Sequence, residues 1–256
     1  MRLRGGAWEL EVWPERGGRI VSLRLGGDEL LDQGIGVDVP DETGFVAAGA
    51  RGWDEMVPTI DPAPYPGPGE WEGVELPDHG EAWRMPWTVL EETAGSAKMT
   101  CSGNVLPWRL ERSVELRGGK VRFEYVYVNA GDRPLYAYWS AHPLFRYEPG
   151  MEVDVEGGFE MPPPGASAKV FLPTGSIDRV RLAWPSGSAV EMAWDPSLTP
   201  YLAIWACNGD LGGYQHVAIE PATGGRDRPD PAAPPPILEP GKELSWWLEI
   251  RDRRQP

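Results

Sequence analysis

Three short segments carry side chains able to move protons or grip a polar ligand. In Leu135-Tyr136-Ala137-Tyr138-Trp139-Ser140-Ala141-His142-Pro143 a period of two puts Tyr136, Tyr138, Ser140 and His142 on one strand face. Pro143 is expected to stop that strand, leaving His142 at a rim where side chains meet ligands. A wet amphipathic strand would show the same pattern. In Tyr214-Gln215-His216-Val217-Ala218-Ile219-Glu220-Pro221, His216, Ala218 and Glu220 share a face, and Pro221 is expected to end the ladder with Glu220 at a loop or cleft. His216 and Glu220 are about 13 Å apart along such a strand, too far to form a dyad. A lone strand-end Glu also fits a solvated or ion-paired role. The third segment, Leu76 to Trp87, holds His79, Arg84, Trp83 and Trp87 just before a strand. Such a loop suits a sugar or aromatic-ligand rim and equally suits a Trp-anchored connection.

The elements that must position these residues read as strands. Trp8, Leu10 and Val12 alternate with Glu9 and Glu11, and residues 19–25 repeat the pattern up to Gly26-Gly27-Asp28, a tight-turn sequence. Segments 87–92 and 98–102 form one predicted hairpin, and 109–116 with 121–128 another. Further strands are predicted at 135–142, 180–184, 189–194, 201–207, 216–220 and 243–251. No segment of helical length has a clean 3.6 period. The fold class is therefore all-β, with two large antiparallel sheets face to face in a β-sandwich. The Pro-rich stretches 61–69, 161–165 and 230–236 are read as long surface loops within a single domain spanning 1–256.

Composition narrows the partners. The chain has 24 Lys and Arg against 39 Asp and Glu, a net charge of −15. Such a surface repels nucleic acid and anionic membranes, so neither is expected as a partner. Nearly a quarter of the 256 residues are Gly or Pro, but 13 Trp argue against disorder and supply rings that stack on sugar faces. No apolar run suggests a secretory signal or membrane span, and a soluble cytoplasmic protein is expected. The two cysteines, Cys101 and Cys207, are expected to be buried thiols, and three histidines without ligand spacing give a metal site little to build on.

Taken in order, Pro77-Asp78-His79-Gly80 with Pro86-Trp87, Ser140-Ala141-His142-Pro143-Leu144-Phe145, and Val217-Ala218-Ile219-Glu220-Pro221-Ala222-Thr223-Gly224 resemble the signature of the aldose 1-epimerase (galactose mutarotase) family. Gly17-Gly18-Arg19-Ile20, residues 52–58, Trp205 and Leu238-Glu239-Pro240-Gly241 extend the resemblance over nearly the whole chain. It implies a β-supersandwich and a cofactor-independent interconversion of the α and β anomers of a free sugar. By position, Glu220 would take the proton of the anomeric hydroxyl, His142 would protonate the ring oxygen, and His79 would bind and polarise the sugar. The galactose-acting branch also carries an early Asn-Arg pair, whose nearest equivalent here is Arg51-Gly52-Trp53-Asp54. Arg51, Trp53, Asp54, Arg84 and Trp205 are accordingly the candidate sugar contacts. That branch's sugar-binding aspartate has no clear match in Asp154, Asp178 or Asp195.

Opening a hemiacetal needs one proton removed and one delivered, each positioned group contributing about 10²–10⁴-fold, and no metal, nucleotide or other cofactor. A hexose-6-phosphate epimerase-like enzyme is the nearest alternative and would need arginines around the pocket, with Arg51, Arg84, Arg146, Arg226 and Arg228 to draw on. A non-catalytic carbohydrate-binding protein on the same scaffold, and a β-sandwich glycosidase with two facing carboxylates, complete the alternatives. The expected partner is a small-molecule sugar, bound by a monomer or homodimer.

Overall fold

The structure, a computed structural model, describes residues 1–36, 44–67, 69–172, 175 and 177–254. Pro68, inside the first Pro-rich stretch, lies outside them. The described residues form strands, turns and loops with no helix, so no helix is long and apolar enough to cross a membrane. The fold is all-β, as expected. The first sheet runs Arg2–Gly5, Trp8–Trp13, Arg19–Leu25, Trp53–Met56, Ser140–Arg146, Gln215–Ala222, Tyr201–Asn208 and Ala166–Leu172, with Asp28–Glu29 paired off the path. The second runs Glu152–Asp154, Arg179–Ala183, Ala189–Trp194, Glu243–Asp252, Lys120–Asn129, Trp108–Arg117, Ser96–Ser102 and Thr88–Glu92. All pairings between these strands are antiparallel.

Alternation explains the packing. Leu110, Val114, Val121, Phe123, Tyr125, Leu248 and Ile250 of the second sheet meet Leu10, Leu23, Trp53, Ile204, Val217 and Ile219 of the first in one buried cluster. At its centre the wholly buried Glu55 accepts hydrogen bonds from Arg112 Nη1 at 2.8 Å, Tyr125 Oη at 3.0 Å and Trp139 Nε1 at 2.8 Å. The expected tight turn at Gly26-Gly27 is present, with φ of 64° and 98° and Leu25 registered against Asp28. Both cysteines are buried and free, and burial pushes the Cys101 thiol up to about 12.

Three differences from the expected strands bear on the site. Neither Pro143 nor Pro221 ends its strand: Ser140–Arg146 and Gln215–Ala222 run through them. Ser140 registers with Ala222 and Leu144 with Ala218, and between those pairs the ladder is interrupted. Both prolines sit in that interval, where neither has an N–H to lose. Nor is 135–142 one strand. Leu135–Tyr136 pairs with Ile237–Leu238, residues 137–139 leave the ladder, and Ser140 begins a new strand. Tyr136 therefore parts from His142 and packs beside Tyr65, its ring centroid 5.9 Å away.

Candidate active site

The side chains of interest lie on the face of the first sheet that points away from the second. Its interrupted ladder, continued between the registered pairs, places His142 directly opposite Glu220. His142 registers with Asp54 on its other side, and Asp54 holds Arg19 of the next strand, Nε to Oδ1 at 2.9 Å. Directly opposed residues of an antiparallel sheet share a face, so Arg19, Asp54, His142 and Glu220 form a row across four strands. His142 Nε2 stands 3.8 Å from Glu220 Oε1. His142 Nδ1 is buried and has no hydrogen-bond partner among the described residues.

His79 comes to the row from its loop. Its φ is 58°, in the left-handed region where His is enriched among non-glycine residues, and Gly80 follows at 71°. A Cβ at Gly80 would lie 2.2 Å from Val57 O, so only glycine lets the loop lie against the strand ahead of it. Asp78 fixes the ring: Oδ1 is 2.9 Å from His79 Nδ1, and Oδ2 accepts from Phe45 N at 3.0 Å. Phe45 stacks flat on His79 at 4.2 Å, and the two imidazoles of His79 and His142 meet edge to face at 5.4 Å. Trp83 Nε1 donates to Asp78 O, and Trp87 Nε1 to Ala82 O, so the same loop is also Trp-anchored.

Two residues that sequence reasoning missed complete the wall. Lys169 places Nζ 2.7 Å from Glu220 Oε2 and 2.6 Å from Asp227 Oδ1. The Asp227 carbonyl accepts from the N–H groups of Ile60 and Asp61, which ties its loop to the one ahead of His79. Burial raises the Glu220 carboxyl above the usual carboxylate range, against the pull of Lys169. Burial also holds His142 well below the ordinary imidazole range, assisted by the charges of His79, Lys169, His216 and Arg19. Burial raises Asp54, opposed by Arg19. Asp78 is lowered overall: burial acts to raise it, but the hydrogen bond and charge of His79 outweigh that.

His79, His142, Glu220, Lys169 and Asp227 line one cavity of about 380 Å³, within the span of small-molecule sites. Its lining includes Phe45, His79, His142, Trp205, His216 and Glu220. No family model and no curated protein matches the sequence. Solved structures do match along its length. Slr1438 from Synechocystis superposes with a TM-score of 0.81 at 18% identity, covering 100% of this chain and 96% of that one. A galactose mutarotase-like protein from Lactobacillus casei gives 0.73 at 18%, covering 99% of each chain. A GalM/aldose epimerase homologue from C. elegans gives 0.73 at 11%, covering 100% and 99%. The chain has the galactose mutarotase-like fold.

On this galactose mutarotase-like scaffold Glu220, His142, His79 and Trp205 come together at the cavity. The other four candidates do not line it. Trp53 faces the opposite side of its strand, where its ring packs on Phe123 at 4.7 Å in the core between the sheets. Asp54 is in the row but does not line the cavity; its Oδ1 holds Arg19, and its Oδ2 is buried without a hydrogen-bond partner among the described residues. Arg51 lies beside Gly34, and the Arg84 guanidinium stacks over Trp83 at 5.0 Å. Asp154, Asp178 and Asp195 also lie elsewhere: Asp154 pairs in the second sheet, Asp178 bonds Arg179, and Asp195 caps a turn at Ser197. His216, which shares the Glu220 face as its spacing requires, bonds Asp32 Oδ2 at 2.8 Å. Lys169 gave no signal because Ala166–Leu172 lacks a clean alternation: six of its seven residues are half-buried or exposed.

Proposed function

We propose that the protein is a cofactor-independent aldose 1-epimerase acting on free sugars. The observation that carries this reading is the convergence of Glu220, His142 and His79 on one cavity. A pyranose held there presents its anomeric hydroxyl and ring oxygen to groups that differ in kind, a carboxylate and an imidazole. Glu220 takes the proton of the anomeric hydroxyl as His142 delivers one to the ring oxygen. The ring opens, the aldehyde carbon turns, and closure from the other face uses the same two groups in reverse. Burial disfavours the charged form of both groups, lowering His142 and raising Glu220, so the step requires the bound sugar to bring the pair to the form with the one proton on His142 and none on Glu220. His79, steadied by Asp78 and Phe45, offers its remaining nitrogen to a sugar oxygen. Trp205 supplies an apolar wall for the sugar's C–H face.

A free sugar is favoured over a sugar phosphate by the charges around the cavity. Of its lining residues Lys169 is cationic, and it is matched by Glu220 and Asp227, with Asp61 alongside. None of Arg51, Arg84, Arg146, Arg226 and Arg228 lines it. The test is anomer-resolved exchange NMR over a panel of free hexoses, pentoses and hexose 6-phosphates. The expected result is accelerated exchange for at least one free sugar, lost in Glu220→Gln with the fold retained. Full activity in Glu220→Gln, or acceleration confined to the phosphates, refutes the proposal.

A further inference from the structure

The Glu220 carboxylate has two oxygens in different surroundings. Oε1 faces His142 Nε2 across 3.8 Å, while Oε2 is 2.7 Å from Lys169 Nζ. Lys169 starts from the edge strand, two strands away from Glu220, opposite Trp205. On the strand between them, Ala203, with a single methyl, is the residue registered opposite Glu220. Asp227 Oδ1, at 2.6 Å, pins the far side of the ammonium, and the Asp227 backbone is itself fixed to the loop at Ile60 and Asp61. An ammonium so placed is held by two carboxylates and is not a free surface charge; only 17% of its side chain is exposed.

Resting on the epimerase reading above, we propose that Lys169 is the positioning residue of the base: anchored by Asp227, it grips Oε2 of Glu220 and leaves Oε1 as the oxygen that takes the sugar's proton. The same contact sets the charge balance of the site. Glu220 is faced by Lys169 and Asp227 from one side and by His142 and His79 from the other. Asp54 with Arg19 lies further along the row, Tyr138 and Asp61 stand behind, and His216 with Asp32 is on its own strand. Lys169 is the cation nearest Glu220 among these, and Asp227 the nearest competing anion. Their removal must therefore act in opposite directions. Without the ammonium, both the carboxylate and the nearby imidazole bind protons more tightly; without Asp227, the ammonium is shared with no other carboxylate and Glu220 gives up its proton more easily.

The test is the pH dependence of kcat/KM for Lys169→Met, Lys169→Arg, Asp227→Asn and Glu220→Gln, with circular dichroism to confirm folding. Lys169→Met is expected to move the whole profile to higher pH, by roughly 1–3 units, the effect of one opposite charge within contact distance. Asp227→Asn is expected to move it to lower pH, and Lys169→Arg to keep the wild-type profile. If Lys169→Met fails to fold, the direction of the Asp227→Asn shift decides the matter by itself. An unmoved profile, shifts of the same sign in both variants, or a raised KM with no pH shift overturns the proposal; the last would make Lys169 a sugar contact. If Glu220→Gln remains fully active, the epimerase reading falls. If Glu220→Gln is inactive while the other profiles do not move, the role of Lys169 alone is refuted.

Discussion

Burial of His142 beside the cavity makes a prediction that needs no substrate. The imidazole is 5% exposed and held well below its ordinary value of 6.5. In the unfolded chain it takes a proton as the pH falls through 6.5, while in the folded chain it does so only at lower pH. The unfolded state then binds more protons, so the depressed group contributes stability that is present above pH 6.5 and lost on the acid side. Between pH 6.5 and 5.5 this loss amounts to at most about 1 kcal/mol, the value reached when the folded imidazole takes up no proton in that window. Glu220 acts with the opposite sign. Its raised carboxyl contributes stability that is present below its unfolded value and lost as the pH rises. Glu220 and the other two histidines are present in both wild type and His142→Gln, so the difference between the two proteins isolates His142. Urea unfolding followed by tryptophan fluorescence at the two pH values should show wild type losing more than His142→Gln, by up to about 1 kcal/mol. An identical loss in both proteins would mean that the imidazole charges freely in the folded state, and would refute the reasoning from its burial.

Two further contrasts follow from the same geometry. Trp205→Ala should raise KM for the preferred free sugar about 2–13-fold, the worth of one aromatic contact at about 0.5–1.5 kcal/mol. Arg84→Ala should leave kcat and KM unchanged because the guanidinium lies over Trp83 outside the cavity lining; steady-state polarimetry checks both. Glu55→Ala should cost about 3–5 kcal/mol of unfolding free energy, because it strands the buried Arg112 and the donors of Tyr125 and Trp139. The double variant Glu55→Ala with Arg112→Met should recover part of that loss in the same denaturant titration.

The alternation of 8–13, 108–117, 120–129 and 243–252 made the all-β sandwich legible, since each strand has one face in the core between the sheets. Trp53–Met56 was not readable as a strand. Its four residues are all buried, because loops cover the outer face of the first sheet as the second sheet covers the inner one, and a strand buried on both sides shows no polar alternation. That omission explains why Trp53 and Asp54 looked alike as sugar contacts when they point to opposite faces. The histidine and glutamate positions were nominated through their local sequence contexts, which spacing along the chain could not have brought together. Lys169 and Asp227 had no such context. Their pairing depends on a long side chain reaching from two strands away and on a loop anchored at Ile60, neither of which leaves a pattern in the chain.

The row of Arg19, Asp54, His142 and Glu220 draws one side chain from each of four segments spread over some two hundred residues. A slip of a single residue in any of these strands turns its member toward the opposite surface. Turnover by this protein should therefore behave as a checksum on correct zipping. Chains trapped with native-like far-ultraviolet signal but mispaired neighbours would be silent, and recovery of activity during refolding should trail the recovery of strand content rather than accompany it.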